Sequence, residues 1–150
     1  YIARKGTLAS FSPTVIKNYI VQGGGGEWAK AAMSLAVRSF YYYKNFGGLA
    51  VLCNQVHDAL YIDSSAEVEV KSAALLHACM EEASAYMAYL FGWDIQVPVP
   101  SETKTGLNMM EEHNLPDGFA LEVKHARQWV RDKFMPGFVP NYEKERQHGV

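Results

Sequence analysis

Apolar positions along this chain follow two periods, and the places where the period switches divide it into elements. Residues 1–12 read as a basic, β-like opening with a break at Gly6-Thr7. Ser12-Pro13 then gives a helix start, with Ser at the N-cap and Pro at the first helical position. A helical stretch is expected from about Thr14 to Val21, and glycines 23–26 interrupt it. Each glycine is about 1 kcal/mol worse than alanine inside a helix. From Glu27 to about Phe40 the helical spacing returns, with Trp28, Ala31, Ala32 and Leu35 on one face. The Tyr41-Tyr42-Tyr43-Lys44-Asn45 cluster ends it, and Gly47-Gly48 is a breaker.

The next pattern is shorter. Residues 49–56 form an apolar run typical of a buried strand, and residues 59–63 alternate as a second strand. The two predict a hairpin with His57-Asp58 at the turn. Ser64-Ser65-Ala66-Glu67 fits a capping box, and a long amphipathic helix follows, closing near Gly92. Val68, Leu75, Cys79, Tyr86 and Leu90 mark its apolar stripe. Residues 95–99 predict a third strand, at an edge because of Pro98. Residues 101–118 read as polar loop. Residues 119–134 predict one more amphipathic helix, which packs through Phe119, Val123, Val130 and Phe134. A charged tail follows Pro136. Helices and strands in this order make an α+β chain.

Composition bounds these readings. The chain has 150 residues, enough for one core, and 13% aromatics, too many for a disordered chain. No apolar run reaches the roughly 18 residues of a membrane span, and the opening residues lack a signal-peptide core. Cys53 and Cys79 both lie in apolar runs and read as buried free thiols of a reducing compartment.

The net charge of −2 conceals a division. Residues 1–45 carry six basic side chains and one acid, residues 46–112 two basic and ten acidic, and residues 113–150 six basic and five acidic. Such asymmetry gives a face for a polyanion and a face for a cation; a chance distribution is the alternative.

Two features could carry chemistry. The glycine run is not a phosphate loop, since Glu27-Trp28-Ala29-Lys30 follows where Lys-Ser or Lys-Thr would be needed. It is either a joint between helices or a place where a ligand approaches the backbone closely. Asp58, in a turn between apolar strands, is either an ordinary turn residue or a metal ligand. Asp63 lies on the same predicted strand about 16 Å away, at roughly 3.3 Å per residue, too far to share a metal. The histidines show no zinc spacing.

The stretch Asn18-Tyr19-Ile20-Val21-Gln22-Gly23-Gly24-Gly25-Gly26-Glu27-Trp28-Ala29-Lys30-Ala31-Ala32-Met33 resembles a helix of the family A DNA polymerases. That family has Asn, Gln-Gly four residues on, small residues, an acid, then Lys and Met. Some thirty residues later, Gln55-Val56-His57-Asp58 resembles the family's motif C, usually Val-His-Asp-Glu. Ser12-Pro13 is similar to the phage replicative branch, and residues 97–108, with Gly106 and Asn108, are more loosely like the family's closing strand. The resemblance covers about residues 4–110.

It implies that residues 1–112 are the C-terminal half of a polymerase palm, and that residues 113–150 are a helical extension and tail. Asp58 would be the motif C carboxylate that helps hold two Mg²⁺ ions, completed by a carboxylate on another chain. His57 and Gln55 would sit near the primer terminus. Asn18 and Gln22, one helical turn apart, would touch the minor groove, where amides meet acceptors on every base pair. Gly23, with its neighbours, and Lys30 would face the DNA too. The implied partners are primer–template DNA, a dNTP, and the chain bearing motif A and the fingers helix; the implied setting is a host cytoplasm. The chain would then be a fragment, a processed segment or a split subunit. Two departures stand out: Ala59 replaces the usual motif C Glu, and Thr14 stands where some members have Arg. A non-catalytic DNA-binding or interaction module with a degenerate palm is the second expectation. A generic α+β domain with coincidental matches is the third.

Overall fold

The computed structural model describes residues 2–4, 7–9 and 13–148, with side chains described over residues 17–144. Strands β1 (Ile2–Arg4) and β2 (Thr7–Ala9) pair antiparallel, with Arg4 opposite Thr7. The N-cap assigned to Ser12 lies outside the described residues; Pro13 is the first residue of helix α1, Pro13–Tyr42.

Helix α1 corrects the expectation that the glycines interrupt it, for it runs unbroken through residues 23–26. Glycine lowers helix propensity without forbidding the conformation, and the buried segment that follows holds the helix. Ala32, Leu35, Ala36 and Phe40 are all buried. Residues 17–27, by contrast, are exposed throughout.

The Tyr cluster ends α1 in an unusual way. Element α2, Lys44–Gly48, takes a left-handed path, with φ of 51° at Lys44, 51° at Asn45, 54° at Phe46 and 72° at Gly47. Only glycine adopts that path freely; for other residues it costs roughly 1–2 kcal/mol each. The turn brings the Phe46 ring onto Tyr43, centroids 5.1 Å apart, and edge-on to Phe40 at 5.7 Å.

Strands β3 (Ala50–Val56) and β4 (Ala59–Ser64) form the expected hairpin, with Val56 opposite Ala59. The register slips between Leu52 and Asn54, so Cys53 is a bulge residue. It is therefore exposed rather than buried, which corrects its sequence reading; Cys79 is buried as expected. Leu52, Leu60 and Ile62 pack on the core, while residues 53–58 carry the tip into solvent.

Helix α3, Glu69–Phe91, begins later than expected. Its N-cap is Val68, without a side-chain cap, so Ser64 and Glu67 form no capping box. Ser64 Oγ instead pairs with Ser72 Oγ at 2.9 Å, tying the end of β4 to the first turn of α3. Gly92 ends the helix as predicted, in the left-handed conformation with φ 66°. Of the predicted stripe, Leu75, Cys79 and Tyr86 are buried, whereas Leu90 is half-exposed near the helix end.

Helix α4, Phe119–Phe134, has the predicted span. It lies on α3, and α3 lies on α1, so α3 is the middle layer. Val130 and Phe134 enter the core from α4. Helix α5, Asn141–His148, was not expected from the charged tail. Pro140 just before it and Tyr142 in its first turn are buried. Among the described residues, 95–99 pair with no strand, correcting the third-strand prediction: Pro98 lacks a donor, and the segment lines a groove shared with the hairpin tip. Residues 101–118 are loop, pinned by a bridge between Thr105 and His113. Among the described residues no helix is long and apolar enough to cross a membrane.

Candidate functional site

One groove of about 970 Å³ draws its walls from three separate parts of the chain. Gln22, Gly24, Gly25, Gly26 and Trp28 come from α1, and His57, Asp58, Ala59 and Leu60 from the hairpin tip. Ile95, Val97, Val99 and Glu102 come from the segment after α3. The floor includes Met80, Ser84 and Met87 of α3. The alternation of Ile95, Val97 and Val99 read as a strand therefore has another use: one side of an extended segment faces the groove.

The α1 wall has no Cβ for three residues. A Cβ built at Gly24, Gly25 or Gly26 would meet nothing within 4 Å among the described residues. The chain's own packing thus does not require glycine there, and the wall is left as bare backbone. Beside it, the Trp28 indole N–H is shielded from solvent and has no acceptor among the described residues.

The hairpin tip is a two-residue turn, with His57 and Asp58 between the paired Val56 and Ala59. His57 has φ 53°, a left-handed conformation that hairpins ordinarily reserve for glycine, asparagine or aspartate. Strain of about 1–3 kcal/mol at such a position belongs to sites where geometry matters more than stability. Gln55 braces the turn, its Nε2 donating to the His57 carbonyl at 3.3 Å, and Asn54 Oδ1 accepts from the Gln55 amide at 2.8 Å. Both turn side chains are exposed.

On the opposite wall Glu102 is paired with Lys104 at 2.8 Å. The hydrogen bond from that ammonium, and its charge, hold the Glu102 carboxyl below the ordinary range. The wall is anchored to α3 through His77. His77 Nδ1 lies 2.8 Å from Thr103 Oγ1 and 3.3 Å from Ser101 Oγ, while Nε2 faces Glu81 at 3.3 Å.

Of the residues singled out in the sequence, the groove brings together Gln22, His57 and Asp58. It does not include Asn18, Gly23, Lys30 or Gln55 among its lining. Asn18 is exposed on α1, and Lys30 pairs with Glu27 at 2.8 Å. Among the described residues no three His, Cys, Asp or Glu side chains converge to hold a metal. Asp58 alone offers an exposed carboxylate at the tip. That donor set fits Mg²⁺ as one ligand of several, because Mg²⁺ keeps waters and takes one or two carboxylates with substrate phosphates. Comparison with protein families, curated proteins and solved structures finds no match.

Sequence reading missed Met80, Ser84, Met87 and Trp93 as groove residues. The signal for Met80 and Met87 was an apolar helix face, which any core helix shows; Ser84 and Trp93, the latter beyond the end of α3, had none. It also missed the strain at His57, because no propensity scale marks a residue forced into a rare conformation.

Proposed function

We propose that this chain is part of the palm of a family A DNA polymerase, contributing to template-directed nucleotidyl transfer. The observation that carries the reading is the groove, where Gln22 and the glycine wall of one motif face the His57-Asp58 tip of the other. Two motifs some thirty residues apart, each of modest weight, line one cavity.

In this reading the bare backbone of glycines 24–26 lies against the primer–template duplex, and Gln22, with Asn18 a turn earlier, tests the minor groove by donating to its acceptors. The Gln55 brace fixes the His57-Asp58 turn near the primer terminus. Asp58 would hold Mg²⁺ from this chain, with a second carboxylate supplied by the chain bearing motif A. When bound, the two ions supply activation of the primer 3′-hydroxyl and charge stabilisation of the leaving pyrophosphate. The new bond joins the primer 3′-oxygen to the α-phosphorus of the dNTP, the bond to the β-phosphate oxygen breaks, and the hydroxyl proton leaves to solvent. The exposed residues 17–27 and the exposed hairpin tip fit a chain completed by another polypeptide, and a host cytoplasm is the matching setting.

The test is Asp58→Ala in the assembled polymerase. Primer extension should fall by more than the roughly 10–100-fold that loss of an outer-shell metal support costs; unchanged extension overturns the assignment. Asn18→Ala and Gln22→Ala should weaken primer–template binding or extension from mispaired ends. Ala59 supports the second reading, a non-catalytic DNA-binding module, since it leaves the tip with a single carboxylate. Duplex binding retained with no extension in any assembly would favour that module.

A further inference from the structure

The far end of α1 carries a second set of groups that the groove does not use. From Glu27 to Asp58 the sequence has Lys30, Arg38 and Lys44 and no intervening acid. In the fold the last turn of α1 meets the last turn of α4, and aromatic and cationic side chains interleave there. Lys133 Nζ sits 4.0 Å from the centroid of Tyr42, and the Arg38 guanidinium sits 4.8 Å from that of Phe134. Tyr42 is edge-on to Trp129 and Phe134, and Tyr43 to Trp129 at 4.8 Å. These contacts join the groups into one surface.

The outer part of that surface is open. Tyr41 is 81% exposed and Tyr42 54%. Arg38, one turn before Tyr41 on the same helix, is exposed as well. The left-handed α2 turn, whose Phe46 ring packs on the core, carries exposed Lys44 two residues after Tyr42. Burial, with the charge of Glu122 adding to it, raises the Tyr43 hydroxyl above its ordinary range, and Asp132, beside Lys133 in the sequence, is held by Gln128 at 2.8 Å. Around the two exposed rings cations therefore predominate.

We propose that this surface binds single-stranded nucleic acid, with bases stacking on Tyr41 and Tyr42 and phosphates meeting Arg38, Lys44 and Lys133. Exposed rings set among cations are what strand binding without sequence preference requires: every base has a face to stack, and every nucleotide has a phosphate. A protein partner would find little to bury here except isolated rings ringed by charge. The surface lies about 25 Å from the glycine wall along α1, at 1.5 Å per residue, so a strand could occupy both places without competition.

The test uses the whole chain and oligo-dT of about a dozen nucleotides, long enough for several stacking sites. Binding is read by anisotropy without nucleotide, metal or a second chain, so it stands or falls apart from the polymerase reading. Tyr41→Ala should weaken binding about 5- to 150-fold, the span that 1–3 kcal/mol per stacked base gives at 1.4 kcal/mol per decade. Tyr41→Phe, which keeps the ring, should bind within about twofold of the parent. Lys133→Gln should lower the slope of log affinity against log salt by about 0.7, the share of one phosphate contact on a single strand. Tyr41 has no aromatic partner among the described residues, so its loss does not threaten the fold. Equal affinity of parent and Tyr41→Ala, or no binding of the oligonucleotide at low salt, overturns the proposal.

Discussion

Glu82 holds a carboxylate where no solvent reaches, and its two oxygens are divided between two arginines. Arg127 Nε donates to Oε1 and Arg131 Nε to Oε2, both at 2.7 Å. Arg131 continues to Glu143 through a bidentate pair at 2.8 and 2.5 Å. Those hydrogen bonds push the Arg131 guanidinium further above its already high range. Glu82→Ala removes the shared partner of two arginines that keep Glu81 and Glu143, and should cost about 1.5–3 kcal/mol, read as a lower urea midpoint. None of this was visible in the sequence, because the partners lie 45 and 49 residues away and a lone Glu on a helix looks like a solvated one. Glu81 next to it behaves differently. The His77 hydrogen bond, aided by the charges of His77 and Arg127, holds its carboxyl below the ordinary range. The unfolded chain then binds more protons than the folded one as pH drops through the carboxylate range. Stability from Glu81 is present above that range and is lost as pH falls through the lowered folded value. Urea titrations from pH 6 down to about pH 3 should show a shallower loss in His77→Gln than in the parent. The thiols should separate too. Burial pushes Cys79 up to about 12, so a disulfide reagent should label Cys53 in the native protein and reach Cys79 only on unfolding.

At the scale of elements, the sequence located most of the structure and misjudged how pieces join. The hairpin, the α4 span and the Gly92 stop were legible because each rests on a local signal: alternation, a helical stripe, a glycine free to turn left-handed. The glycine run was misread as a break because propensity speaks for residues one at a time, while helix formation is cooperative and residues 28–40 are fixed by burial. The strand at 95–99 was misread because alternation marks an apolar side without saying what lies against it; Val97 and Val99 line the groove and stay exposed. The glycine wall can be tested against the chain's own needs. Gly24→Ala and Gly25→Ala meet no atoms within 4 Å, so each should stabilise α1 by about 0.5–1 kcal/mol, seen as added ellipticity at the helix band. If a duplex lies against that backbone, the same substitutions should weaken primer–template binding. Added helicity with unchanged duplex affinity would leave the glycines without a role at the groove.

For the whole molecule, the layer order places the C-terminal helices in the fold rather than beside it. Helix α4 covers α3, supplies Val130 and Phe134 to the core, and brings both partners of Glu82. A chain ending before Phe119 should therefore lose cooperative unfolding, checked by a denaturation curve against the parent. The resemblance in the sequence stopped at about residue 110 and was silent on this, since it reflected site residues rather than the packing behind them. The hairpin has a consequence of another kind. Among the described residues its sheet has two strands, so β3 and β4 each pair along one side only, and residues 53–58 are exposed. An unpaired strand side is a template for any extended backbone that meets it, including that of a second copy. Handling of the isolated chain should accordingly be governed by concentration, with self-association rising as protein is concentrated and receding when a complementary strand is supplied.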